Sequence, residues 1–429
     1  MRKLIPAGCV LLLLFLQVTL AAQTEADSTL NLRPVAPKKN FGDRLLDVPE
    51  TILKTPIYVG KGLSWAAMNG IYRNPTVRRF ANYVFSFQPS LGPAPVVSYS
   101  SNGGVRLGLS YTRTQVFSPH DRWRIVGTLS THQYKRFETS YVAPQLFSKR
   151  SGLSLRAAYR WRPRENFYGL GYTSRDEDKV SFALEQTEFA AVNNWRVGPQ
   201  WQIDFEAAFV ASNISGGKNK TLVTDLNEIQ DKFGMAAADF RRSRLIRGGV
   251  AIDHDWRDVK GQPSAGGRER LAIAYSHGVG HFDDIRFVAV SGEIAHYFNI
   301  YKKRILAIRL LAETVDADED DGVLPFYLKS RLGGRDDLRG FLSSRFVDND
   351  RMLATLEYRY PIWDMIDAFI FAEAGRVFSS VTEEFTLRNW SESLGTGLRV
   401  WRSEEVVLSA QVAYSDESWR LYFELGSDW

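Results

Sequence analysis

The sequence has little with which to do covalent or metal chemistry. It contains one cysteine, Cys9, and that residue lies in an N-terminal stretch read below as a secretion signal. The mature chain therefore offers neither disulfides nor a thiolate nucleophile. Its six histidines are scattered, and no His-Glu-x-x-His or Gly-x-Ser-x-Gly pattern occurs. No mature segment has the roughly 18 consecutive apolar residues of a membrane helix. The net charge of +5 is a small excess among 54 basic and 49 acidic side chains. Without a basic run interleaved with aromatics, it gives no argument for nucleic acid. These absences weigh against a hydrolase, a helical membrane protein, a nucleic-acid binder and a small disulfide-stapled secreted domain.

What is present begins with export. Met1-Arg2-Lys3 supplies a positive start, residues 10–16 (VLLLLFL) an apolar stretch, and Leu20-Ala21-Ala22 a small-residue cleavage site. Residues 1–22 read as a signal peptide. The apolar run is far shorter than the roughly 20 residues of a spanning helix. A lipoprotein reading of Ala7-Gly8-Cys9 is disfavoured because the apolar stretch follows the cysteine. An exported chain of 429 residues without disulfides points to periplasmic, surface and outer-membrane proteins. Aromatics make up 13% of it, with 11 Trp and 18 Tyr, the residues favoured where apolar surface meets water.

From about residue 95 the dominant period is two. Residues 404–414 (EEVVLSAQVAY) place Val406, Leu408, Ala410, Val412 and Tyr414 on one face. Residues 419–426 (WRLYFELG) set Trp419, Leu421, Phe423 and Leu425 against Arg420, Tyr422 and Glu424. Residues 352–360 (MLATLEYRY) set Met352, Ala354, Leu356, Tyr358 and Tyr360 against Thr355, Glu357 and Arg359. Such alternation makes strands with one apolar and one polar face. It fits a soluble sandwich as well as a barrel whose apolar face meets lipid, so length and loops must decide.

Breakers and alternation predict strands near 96–102, 104–114, 121–131, 135–147, 151–163, 179–193, 196–212, 243–256, 268–280, 284–299 and 302–314. After a long loop come 351–360, 366–378, 391–402, 403–415 and 417–427. The total is sixteen, an even number, and many reach the roughly 9–11 residues of a tilted transmembrane strand. Long connections follow odd strands, near 164–178, 213–242, 315–350 and 379–390, while tight turns mostly follow even ones, with an exception near 257–267. Long loops at one end and short turns at the other are the outer-membrane barrel pattern. The expected fold is all-β, a 16-stranded antiparallel transmembrane β-barrel over 95–429 with a short N-terminal helical segment. Residues 23–94 hold a Pro-containing leader and, over 41–90, short amphipathic helices or an ordered linker.

Several motifs then occur in order. Residues 338–341 read LRGF, 371–378 read FAEAGRVF, 255–266 read DWRDVKGQPSAG and 394–399 read LGTGLR. Together they resemble the BamA/TamA superfamily of outer-membrane insertases and translocases, also called bacterial surface antigens. The resemblance covers about 95–429. LRGF is similar to its Arg-Gly-aromatic loop signature, and FAEAGRVF to its Phe-x-Asp-x-Gly-x-Val-Phe strand, with Glu373 in place of Asp.

The resemblance implies that the loop folds into the barrel and that Arg339 locks onto Glu373. Parity puts Glu373 on the same face as Gly375, toward the lumen, and the loop is long enough to return there. A charge-assisted, bidentate pair would then form, with Gly340 and Gly375 leaving room beside Phe341. On the residues alone, a solvated Arg339 stays the simpler reading. Arg335, Asp336 and Asp337 are expected to be ordinary loop charges. The chain end, with Phe423, Leu425 and terminal Trp429, resembles the signal by which barrel precursors are recognised for assembly.

The resemblance implies a role in inserting, assembling or translocating proteins at the outer membrane of a Gram-negative-type cell; a passive pore or surface receptor is the alternative. Expected partners are outer-membrane lipid and lipopolysaccharide, with client outer-membrane proteins or a periplasmic partner, and no nucleic acid. No catalytic residue, cofactor or metal is expected. A metal at His277 and His281 is disfavoured, as is calcium in 316–322 (DADEDDG), where Asp321 replaces the turn glycine and Tyr327 the bidentate Glu. Residues 23–94 do not read as a POTRA domain, so none is expected.

Overall fold

The computed structural model of the protein describes residues 92–425, apart from 302, 318–323, 364 and 403–404. The signal peptide expected over 1–22, the segment over 23–91, most of the acidic stretch 316–322 and Trp429 lie outside the described residues.

Sixteen antiparallel strands close into one barrel. The first eleven are β1 (Gly92–Ser100), β2 (Gly104–Thr114), β3 (Arg122–Ser130), β4 (Lys135–Ser148), β5 (Ser151–Phe167), β6 (Val180–Arg196), β7 (Trp201–Gly216), β8 (Ser243–Asp255), β9 (Gly266–Gly278), β10 (Arg286–Tyr301) and β11 (Arg304–Ala317). The long loop that follows carries a short hairpin of its own, β12 (Ser330–Leu332) and β13 (Phe346–Asp348). The wall resumes with β14 (Asp350–Trp363), β15 (Ile366–Phe378), β16 (Ser391–Arg402), β17 (Glu405–Tyr414) and β18 (Trp419–Leu425). Each barrel strand pairs with its sequence neighbour, β11 pairs with β14, and β18 returns to β1.

Period-two alternation produces the wall. Leu107 and Leu109 on β2 are 58% and 68% exposed, while Ser110 and Thr112, just beyond them on the opposite face, are 3% and 2% exposed. Leucines facing out and hydroxyls facing in are the reverse of a soluble core, and they fit a lipid-facing band around a polar lumen. Ile246, Ile273, Leu356, Leu394 and Leu421 continue the outer band.

Two differences from the sequence expectation have physical causes. β1 begins at Gly92, where alternation placed its start near 96. Pro93 and Pro95 donate no ladder hydrogen bond, yet their backbone is extended and pairs with Tyr111 and Leu109 of β2. The β12–β13 hairpin lies in what read as an unstructured loop; three residues per strand are too few to show a period.

The lumen is filled from the long-loop end. The helix α1 (Leu226–Phe233), capped by Asp225 and ended by Gly234 in the left-handed conformation, belongs to the β7–β8 loop. Its Ile229 packs with Phe167, Phe182, Phe240, Phe326 and Val347 in one buried cluster. A second cluster joins Leu332, Leu338, Phe341 and Phe346 of the long loop to Leu353 and Val377 of the wall. Burying a side chain of this size stabilises by roughly 1.5–3 kcal/mol, so these clusters give the loop a core inside the barrel.

Candidate functional site

The site forms where the long loop meets the inner faces of β14–β18. Residues 369, 371, 373 and 375 alternate inward on β15, and Glu373 is 4% exposed. Its carboxylate receives two hydrogen bonds from one residue. Arg339 Nε donates to Oε1 at 2.6 Å, and the Arg339 backbone N–H donates to Oε2 at 2.7 Å. The Ser393 hydroxyl of β16 donates to Oε2 at 2.9 Å. Arg339 Nη1 reaches Glu357 of β14 and Gln411 of β17, each at 3.2 Å. The guanidinium carbon lies 3.4 Å from the centroid of the Phe371 ring, a cation–π contact.

A second layer surrounds the first. Glu357 accepts from Arg359 at 2.7 Å and from Arg399 of β16 at 2.8 and 3.1 Å, in addition to Arg339. Arg399 in turn lies over Phe369 at 4.0 Å. Two carboxylates and three guanidiniums thus share one buried network. In such a network each ion is compensated, and removing one partner strands another.

The backbone of the loop is fixed as firmly as the side chain. The Tyr422 hydroxyl of β18 donates to the Arg339 carbonyl at 3.0 Å, and the Ser415 hydroxyl donates to the Gly340 carbonyl at 2.8 Å. Gly340 passes so close to the wall that a Cβ would lie 2.6 Å from Ser393 Cβ and 2.8 Å from Ser415 Cβ. A Cβ on Gly375 would lie 2.7 Å from Leu332 Cδ2. Phe341 is 2% exposed and packs against Phe346, with ring centroids 5.2 Å apart. The structure therefore brings Arg339, Gly340, Phe341, Glu373 and Gly375 together. Phe423 and Leu425 stand elsewhere, half-buried on β18, opposite Tyr99 and Val97 of β1.

The expectation that Arg335, Asp336 and Asp337 are ordinary loop charges requires correction. Arg335 Nη1 is 2.6 Å from Glu424 Oε2 on β18, and Asp337 Oδ2 is 2.8 Å from Arg351 Nη1 on β14. Only Asp336 keeps an exposed side chain, with its carbonyl bonded by Arg309. Burial raises the Asp337 carboxyl above its ordinary value despite the Arg351 guanidinium, which pulls it down. The loop folds inward as a unit, so its charges had to find partners on the wall.

The histidines are less scattered in space than in sequence. His254 Nδ1 and His296 Nε2 lie 2.8 and 2.6 Å from the two oxygens of Glu269, and Trp256 Nε1 donates to the same carboxylate at 3.2 Å. His254 and Glu269 oppose each other in the β8–β9 register. Parity with Ile252 and Ile273 puts this cluster on the outer face, beneath the stacked Trp201. No sequence spacing announces it, because its members come from three strands. His277 ends β9 beside Tyr275, and His281 sits in the loop that follows. Among the described residues, no group of three or more His, Cys, Asp or Glu is arranged to hold a metal ion.

The described ladder between β1 and β18 consists of Val97↔Leu425, Ser98↔Glu424, Tyr99↔Phe423 and Ser100↔Tyr422, whereas β1 pairs with β2 from Gly92 to Ser100.

The Omp85 superfamily domain matches residues 120–429 of the chain, which takes in fourteen of the sixteen wall strands and the whole inward loop. The chain belongs to the Omp85 superfamily. Two solved Omp85 structures share its fold. BamA from Haemophilus ducreyi lacking POTRA domains 1–3 aligns with a TM-score of 0.57 at 13% identity, covering 79% of this chain and 70% of that one. CdiB from Escherichia coli aligns with a TM-score of 0.51 at 11% identity, covering 79% and 63%. No curated protein matches the sequence. As an Omp85 barrel the protein spans a membrane, and the Arg339 network stands inside an Omp85 lumen.

Proposed function

We propose that the protein is an outer-membrane Omp85 barrel that inserts, assembles or translocates proteins, exported by its signal peptide and seated in outer-membrane lipid and lipopolysaccharide. Its clients would be outer-membrane proteins, delivered directly or by a periplasmic partner. One observation carries this reading. An inward loop is pinned by Arg339 to Glu373 and held at its Arg339 carbonyl by Tyr422 of β18, the strand that closes the barrel against β1. Glu373 and the loop would hold the neighbouring strands β14–β18 as one rigid lip while the seam parts.

The mature chain's lack of cysteine makes the test clean. Tyr99→Cys with Phe423→Cys would place a disulfide across the seam, since directly opposed strand residues have Cα atoms about 4.5–5.5 Å apart, within disulfide range. The purified protein in liposomes should accelerate folding of a barrel client. Oxidation of the double variant should abolish the acceleration and reductant should restore it. No acceleration with any client, or full activity in the oxidised variant, would sink the proposal. A passive pore, in contrast, would give steady conductance in planar bilayers that is indifferent to the cross-link.

A further inference from the structure

Beside the Arg339 network the lumen holds a partly open cavity of about 410 Å³, within the size range of small-molecule sites. Its lining is cationic: Arg162 of β5, Arg247 of β8, Lys329, Arg331 of β12 and Arg351 of β14, against Glu313 and Asp337. Both carboxylates are already occupied by Arg351, at 2.8 Å each. Arg247 is taken by Glu188 and Glu206, and Lys329 bonds the Asn349 side chain within the field of Asp348, Asp239 and Asp350.

Two guanidiniums remain. Arg162 donates only to the neutral Gln186 side chain, at 3.0 Å, and its Nε is buried without an acceptor. The Arg331 side chain has no hydrogen-bond or ion-pair partner among the described residues, although its backbone carbonyl accepts from Arg351. Burial, and next the charge of Arg162, push the Arg331 guanidinium down to about 10. Glu165 is the acid that acts most on it, yet no hydrogen bond or ion pair joins Glu165 to either guanidinium among the described residues. A fold that puts two guanidiniums together, with one carboxylate near and none bonded to either, has a place for an anion.

We propose that this cavity binds a phosphorylated small molecule or head group, its phosphoryl oxygens held by Arg162 and Arg331. A phosphate monoester carries about −1.5 to −2 charges at neutral pH, which suits two adjacent guanidiniums that no carboxylate is bonded to. The planar fork of Arg fits phosphate oxygens bidentately. The cavity is larger than a phosphate ion, leaving room for a sugar-sized remainder. Such a group reaches the barrel either as a soluble phosphate ester or as the phosphorylated sugar head of a membrane glycolipid. The site does not depend on insertase activity.

The test uses the full chain in uncharged detergent micelles, titrated calorimetrically with glucose 1-phosphate and, separately, with lipid A carried in the same micelles. Saturable binding of the first assigns a soluble source, and binding of lipid A alone a membrane source. In either case Arg331→Gln and Arg162→Gln should each weaken binding by about tenfold or more, since each removes a charge-assisted fork. Arg150→Gln, in an exposed turn on the far side of the wall, should leave it unchanged. Folding of each variant is checked by its heat-dependent mobility in gels, and Arg162, on a different strand, serves if the Arg331 variant does not fold. Absence of saturable binding of both probes, or equal binding in both arginine variants, overturns the proposal.

Discussion

Arg339 meets Glu373 twice, once through its guanidinium at 2.6 Å and once through its own backbone N–H at 2.7 Å. A side chain can swing about its torsions while keeping one contact, but a residue held at both ends cannot. The pairing therefore fixes the position and the direction of the loop. Arg339→Ala and Glu373→Ala are each expected to cost about 3–5 kcal/mol, as for a broken buried ion pair. The double variant should cost little more than either single one. Urea unfolding in detergent checks this, and additive losses would mean that the two residues do not act together.

Gly340 sits where any side chain would strike Ser393 and Ser415. Gly340→Ala should lower the thermal midpoint of the barrel and displace the loop, with a cost of about 1–3 kcal/mol for overpacking. Gly248→Ala, where a Cβ would meet nothing within 4 Å, is the matched control and should be close to neutral. Circular dichroism melts of the two variants, side by side, make the comparison.

On the outer wall, Glu269 gathers His254, His296 and Trp256. Glu269→Ala leaves three polar groups without their acceptor and should destabilise by about 1–3 kcal/mol for each group left unpaired. Glu269→Gln keeps one acceptor oxygen and should cost less. If alanine and glutamine prove equal in the same melts, the hydrogen bonds contribute nothing.

The β8–β9 turn gives a pH prediction. Burial alone would raise the Asp258 carboxyl, but the Ser264 hydroxyl and the N–H groups of Ser264 and Val259 hold it below its ordinary value. A lowered folded-state value adds stability above the unfolded-state value, and that stability is lost as pH falls through the folded one. The difference in midpoint between wild type and Asp258→Ala should be full at pH 7 and close as the pH drops below the usual carboxylate range. A gap that stays constant down to pH 2.5 would contradict the assignment.

The wall was legible because a strand in lipid must alternate: Leu107, Leu109 and their counterparts announce their face without help from any partner. Parity also puts Glu373 on the inner surface, and the short motifs direct attention to Arg339. The rest of the network was not legible. Glu357, Arg399, Gln411 and Tyr422 look like any other lumen-facing polar residue, since alternation tells which face a residue occupies but not its height in the barrel. Height depends on register, and register is a property of pairs of strands. The same limit hid His254 and His296, whose meeting at Glu269 needs the β8–β9–β10 alignment. Arg335 and Asp337 were misread because an exposed loop and an inward loop have the same composition.

The hydrogen bonds of Arg339 end on β14, β15, β17 and β18, all on the same side of the β1–β18 junction. An opening at that junction would leave the Arg339 segment of the loop attached to the departing C-terminal edge, carried with it as a key stays in a door that swings. The lumen beside β1 would then be vacated by the same movement that exposes the β1 edge, so unplugging and unzipping would be one event.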